Sequence, residues 1–159
     1  MTSPLPPESV WDYPRPPRVE PVAHLIEIHT QDRCIARTQG AYRVLETSHP
    51  PVYYLPPQDI QMQYLCQNPR HSFCEWKGQA HYYDLHLGSQ VIREVAWGYA
   101  QPTAAFRVLQ DYLAFYAQKF ERCLVAGEVV TPQPGEFYGG WITANLVGPF
   151  KGQPGSWGW

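Results

Sequence analysis

The sequence predicts a mainly β, α+β domain with two short helices, and three observations predict it. Aromatic residues make up 14% of the chain and seventeen residues are proline, a composition that favours strands and fixed turns over long helices. Hydrophobic residues reach 44% and charged residues only 16% of 159, enough to fold one domain around a real core. Short runs of β-branched and aromatic residues recur between polar or proline-rich breaks, the pattern of strands joined by tight turns.

Seven of the first 21 residues are proline, so residues 1–22 read as an extended arm that neither makes helix nor donates into a ladder. Trp11 and Tyr13 within it are costly to leave in water, and the arm is expected to lie on the body of the fold. The β-rich body is placed at 23–131. It opens with a hairpin of His24–Thr30 and Cys34–Arg37 around Gln31-Asp32-Arg33. In Gln39–Glu46, Ala41, Val44 and Leu45 fall at i, i+3 and i+4, which predicts a short helix stopped by Ser48-His49-Pro50-Pro51. Val52–Leu55 reads as a strand, and Gln58–Cys66 as one or two helical turns with Ile60, Tyr64 and Leu65 inward.

The central stretch Phe73–Leu87 holds a cysteine, a Glu-Trp-Lys-Gly turn and an aromatic strand. Val91–Trp97 returns as its partner after Gly88-Ser89. Thr103 is the expected N-cap of a helix running to about Asp111, with Ala105, Phe106 and Leu109 as its apolar face. Tyr112–Tyr116 resumes as strand, and Cys123–Val125 with Glu128–Val130 make a last hairpin. The phrases AYRVL at Ala41 and AFRVL at Ala105 suggest a duplicated hairpin–helix–strand unit. Residues 132–159 hold seven glycines, four prolines and three of the six tryptophans. Their aromatic burial is expected to hold an irregular tail on the domain or on a partner subunit, with Trp141–Val147 as an edge strand.

VLETSHPPVYYLPPQDI at Val44–Ile60, FCEWKGQAHYYDL at Phe73–Leu85, AWGY at Ala96–Tyr99, FYGGWIT at Phe137–Thr143 and VGPFKGQPGSWGW at Val147–Trp159 together resemble the bacterial family called domain of unknown function 427. The resemblance runs from about Ser9 to Trp159. It implies small antiparallel sheets arranged like the β-tent of some zinc-binding, chaperone-like domains. The family also carries a nucleotidyltransferase-like label. That chemistry uses paired carboxylates on two metal ions, whereas Asp12, Asp32, Asp59, Asp84 and Asp111 stand isolated here. Gly139-Gly140 precedes a tryptophan rather than a helix, so no phosphate loop is present.

The candidate site gathers around the central stretch. If Phe73–Lys77 is extended, Phe73, Glu75 and Lys77 share one face and Cys74 and Trp76 the other. The Glu75–Lys77 face is then the favoured binding surface, with the CEWKG stretch as the floor of a pocket. Lys77 and Lys151 each follow an aromatic and precede a glycine, a placement suited to an anionic or carbonyl ligand, or to lysines lying over rings. Glu46, His49 and Tyr54 surround the Pro-Pro corner, where His49 is a candidate base or a cap of the preceding helix. Tyr82 and Trp97, with Trp76, Tyr99 and the tail tryptophans, are candidates for an aromatic cage around a flat or cationic ligand. Cys74 is the candidate nucleophile, against the ordinary role of a small buried side chain.

Three readings stay open: a pocket for a small molecule or partner, an enzyme using Cys74 or Lys77 with His49 or Glu75 as base, and a homodimeric scaffold exchanging arm and tail. No cofactor is indicated. The four cysteines and six histidines lack zinc-knuckle spacing, so no metal is expected. A net charge of -2 without a basic run argues against nucleic acid. The opening residues have no signal-peptide pattern and no apolar run spans a bilayer, so a cytoplasmic protein with reduced thiols and no membrane contact is expected.

Overall fold

The computed structural model describes residues 4–135 and 137–159. The first three residues of the arm and Glu136 of the tail lie outside the described residues. Fifteen strands follow in chain order: β1 (Glu8–Ser9), β2 (Arg18–Val22), β3 (Ile26–Thr30), β4 (Arg33–Thr38), β5 (Ala41–Leu45), β6 (Val52–Leu55), β7 (Leu65–Cys74), β8 (Gly78–Leu87), β9 (Gln90–Gly98), β10 (Leu113–Phe115), β11 (Arg122–Val125), β12 (Glu128–Val129), β13 (Thr131–Pro132), β14 (Trp141–Ile142) and β15 (Leu146–Val147). The helical segments among the described residues are short 3-10 turns, the longest at Ala104–Leu109.

A seven-stranded antiparallel sheet runs β2-β5-β6-β10-β9-β8-β7, and a four-stranded one runs β12-β11-β3-β4. Both edges of the large sheet carry a proline, Pro21 in β2 and Pro69 in β7, where no inner ladder is interrupted. Around Pro69 the register of β7 on β8 breaks between Gln67 and His71, which blunts that edge further.

Alternation along the strands divides the interior. Tyr53 and Leu55 of β6, Leu85 and Leu87 of β8, and Leu113 and Phe115 of β10 point toward Ile26, Ile28, Ile35 and Val125 of the small sheet. Tyr54, Ala80, Tyr82 and Ala114, from the same three strands, form a second cluster on the opposite face with Trp97, Phe106 and Leu109. Trp141 seals the first cluster: it is 1% exposed, and its indole N–H donates to Phe115 O at 2.9 Å.

The arm lies on the body. Its last five residues form β2 of the large sheet, while β1 pairs in parallel with β15 of the tail, Glu8 beside Leu146 and Ser9 beside Val147. Val10, Tyr13 and Leu45 bury a small third core with Leu146 and Phe150. Trp11 donates its indole N–H to Pro149 O at 2.8 Å and meets Trp159 edge-on, ring centroids 5.3 Å apart. Arg43 crosses beneath the arm with a bidentate hydrogen bond to Glu8 and a 2.7 Å bond to Glu20, and the Tyr13 hydroxyl donates to the same Glu8 carboxylate.

Several expectations are corrected. Gln39–Glu46 is not a helix: Ala41–Leu45 is β5, paired along its length to β2 and along Tyr42–Val44 to β6. Backbone pairing on both sides outweighs three apolar residues at helical spacing. Ala105–Leu109, nearly the same letters, forms a 3-10 turn in the crossover from β9 to β10, so no duplicated unit exists. Thr103 precedes that turn but does not cap it, because its hydroxyl donates to Trp76 O at 2.6 Å. Trp141–Val147 splits into β14 and β15, which pair with different partners, β13 and β1. No helix among the described residues is long and apolar enough to cross a membrane.

Candidate functional site

The face of the large sheet turned away from the small one supports a cavity of about 470 Å³. Tyr54, Tyr82 and Trp97, all buried, form its base. Three segments stand around that base: the turn between β7 and β8, the corner after β5 with Arg15 of the arm, and the tail. All ten residues singled out from the sequence line it.

The turn is the first wall. β7 ends at Cys74, and Glu75–Lys77 is the hairpin turn itself, so strand alternation does not continue through it. Phe73 is 79% exposed and Glu75 is exposed, whereas Cys74, Trp76 and Lys77 are half-buried; Cys74 and Trp76 pack on the second cluster. The stretch is therefore the rim of the cavity and not its floor. Gly78 takes a positive φ of 111°, a conformation that favours glycine. Thr103 fixes the turn from behind: its N–H donates to Lys77 O at 2.9 Å and its hydroxyl to Trp76 O. The Lys77 ammonium stands 5.9 Å from the ring centroids of both Tyr99 and Phe106. No ion pair joins Lys77 to Glu75 or to another carboxylate among the described residues.

The second wall follows β5. His49 sits in a bend rather than at a helix end, and its Nδ1 lies 2.9 Å from Thr47 O. A carbonyl only accepts, so Nδ1 carries the proton and a neutral ring leaves Nε2 as the acceptor. Burial pushes the His49 pKa down, as do Arg15 and Lys151, against the upward pull of Glu46 and the Thr47 carbonyl. Arg15 pairs with Glu46 at 3.5 Å and donates to Thr47 O at 3.0 Å. Ser48, fully buried with φ 71°, ties this corner to both neighbours: its N–H donates to Val10 O and its carbonyl accepts from Lys151 N–H.

The tail closes the third side. Tyr138 meets His49 edge-on, centroids 5.4 Å apart. Gln133 is buried and accepts from Gly140 N–H while donating to Lys151 O, which fixes the tail's two passes together. Lys151 does not reach freely into the space: its ammonium donates to Ser156 O at 2.6 Å and Trp157 O at 2.8 Å. Burial pushes the pKa of Tyr54, Tyr99 and Tyr116 well up, so these phenols stay protonated and remain donors.

Arg15, Tyr116, Gln133 and Tyr138 were not anticipated as lining residues. Tyr116 was legible, since it continues the alternation of Tyr112–Tyr116 past Ala114; Arg15, deep in a proline-rich arm, gave no signal. Among the described residues, no group of three or more His, Cys, Asp or Glu side chains is arranged to hold a metal ion. No hydrogen bond joins Cys74 to His49 among the described residues.

The family described as a domain of unknown function (DUF427) matches residues 18–126 of this chain. No curated protein matches it.

Proposed function

The chain belongs to the family of domains of unknown function called DUF427, and we propose that it binds a small molecule in the cavity between the large sheet and the tail. The observation that carries this reading is the convergence of segments distant in sequence, Arg15, Glu46–Val52, Ser72–Lys77 and the tail, on one aromatic-walled space of about 470 Å³. That volume falls within the roughly 300–1,000 Å³ common for small-molecule sites, and apolar walls with few polar groups are their usual composition. Binding is favoured over catalysis because the candidate nucleophile and base are not hydrogen-bonded to each other, the arrangement that activates a thiol. Four free cysteines fit a reducing, cytoplasmic setting.

The test uses Cys74 as a reporter, because it lines the cavity. Ligand-observed NMR against a library of planar fragments is followed by alkylation of native protein with and without each hit. Hits that slow Cys74 alkylation without slowing Cys66 support the reading. A library with no such hit at millimolar concentration overturns it.

A further inference from the structure

The charge around the cavity is out of balance in one direction. Among the described side chains, Arg15, Lys77 and Lys151 line it against Glu46 and Glu75, so one positive charge is left over in that set, in a chain whose net charge is -2. The pairing within that set locates the surplus. Arg15 and Glu46 face each other at 3.5 Å and cancel. Lys151 is tied down by two backbone carbonyls, which hold its ammonium without neutralising it. Glu75 is exposed to water, where its charge is screened. Lys77 is half-buried over two aromatic rings and makes no ion pair among the described residues.

The base has a definite shape as well. The rings of Trp97 and Tyr116 lie 4.5 Å apart at an interplanar angle of 39°. Tyr54 approaches Trp97 edge-on at 6.3 Å and Tyr99 at a tilt, also at 6.3 Å. His49, neutral near pH 7, adds no charge of its own. From the unpaired Lys77 ammonium at the rim and the tyrosine- and tryptophan-lined base, we propose that the cavity takes a planar aromatic ligand bearing an anionic group, the ring against the aromatic base and the anion at Lys77. A half-buried cation binds an anion through a charge-assisted hydrogen bond stronger than a neutral one. A cationic ligand, which an aromatic cage alone would suit, is disfavoured by the ammonium already lying over Tyr99 and Phe106. The proposal rests on the small-molecule reading above and adds the sign of the ligand's charge.

Calorimetry on the full chain with a matched trio separates the two. The probes are 2-naphthoate, 2-naphthamide and 2-naphthylmethylamine, which share a ring and differ in charge. The naphthoate is expected to bind about tenfold more tightly than the amide, a preference that falls at high salt. In K77Q the preference falls to about one while the affinity for the neutral amide stays within about twofold, a result that a merely unfolded variant cannot give. Equal affinities in the native protein, or an amine that binds tightest, overturn the anionic proposal and leave the cavity reading standing. Binding of none of the three overturns both. Adenosine and adenosine 5′-monophosphate form a parallel pair: a gain from the phosphate that K77Q removes assigns the anion to a phosphate, and a gain confined to the naphthoate assigns it to a carboxylate.

Discussion

Gly139 lies against the indole of Trp97, so close that a β-carbon there would stand 2.1 Å from Cη2 of the ring. The contact presses the tail onto the base of the cavity. The neighbouring Gly140 is equally confined, by Pro50 O and the Gln133 side chain, each 2.6 Å from a built β-carbon. The paired glycines thus serve close approach.

G139A is therefore expected to force Trp97 or the tail aside. Overpacking of this kind costs about 1–3 kcal/mol, more than the ~0.4–1 kcal/mol that alanine recovers by restricting the unfolded chain. Urea unfolding measures the balance, and a variant as stable as the parent would show that the tail does not bear on Trp97 in solution.

Acid should loosen the arm. Burial works against the Glu8 charge, but the hydrogen bonds from Arg43 and Tyr13 and the charge of Arg43 outweigh it, so its carboxyl titrates below the ordinary range. A carboxylate with a depressed folded pKa contributes stability that is complete above its unfolded value, about 4.3, and is lost as the pH falls through the folded one. The Glu8 contribution to stability should hold steady above about pH 5 and be lost below about pH 4, and E8Q should flatten that part of the acid-side fall in the unfolding midpoint.

His49 works in a higher window. Its folded pKa is depressed, chiefly by burial, so between that value and about 6.5 the unfolded chain binds the proton more readily than the folded one. Its contribution is complete above about pH 6.5 and declines as the pH drops through the window. A proton NMR titration of the ring should give a midpoint below 6.5, and H49Q should remove the corresponding slope in stability; a midpoint at or above 6.5 would contradict the burial seen at this corner.

Thiol reactivity should follow position. Cys66 is exposed and is expected to react first. Cys34 is exposed too, but desolvation and the nearby Glu27 charge raise its pKa, which slows it. Cys74 is half-buried in the cavity wall, and Cys123 is buried with its pKa pushed up to about 12, so it should react only on unfolding. Mass spectrometry of the labelled protein gives the order directly.

The strands and the residues of the cavity were largely legible in the sequence, because period-two aromatic runs and proline breaks are local signals. Tyr54, Tyr82 and Trp97 could be chosen from their strands, and Lys77 from its turn. What could not be read is decided by distant neighbours. AYRVL and AFRVL differ by one aromatic side chain, yet the first is a strand and the second a 3-10 turn. The difference is that β2 and β6 flank the first, while the second crosses between two strands with Phe106 and Leu109 turned onto the sheet. The Glu75–Lys77 turn shows the same limit: whether alternation runs on through Cys74 depends on where β8 folds back, and only Gly78 marked that place. Arg15 joins the cavity because the arm returns across Thr47, a relationship across 32 residues with no local trace.

The ladder between β1 and β15 also bears on how the chain reaches this state. The Trp11–Pro149 hydrogen bond closes a loop of 138 residues, the kind of contact whose entropy cost grows as (3/2)RT ln n and is recovered only once the intervening chain is compact. Local hairpins such as β7–β8 carry no such debt and can form on a microsecond scale. The clasp of arm and tail is then a late event in folding, and the side of the cavity it completes, lined by Arg15 and Trp159, comes into being only at the end of folding.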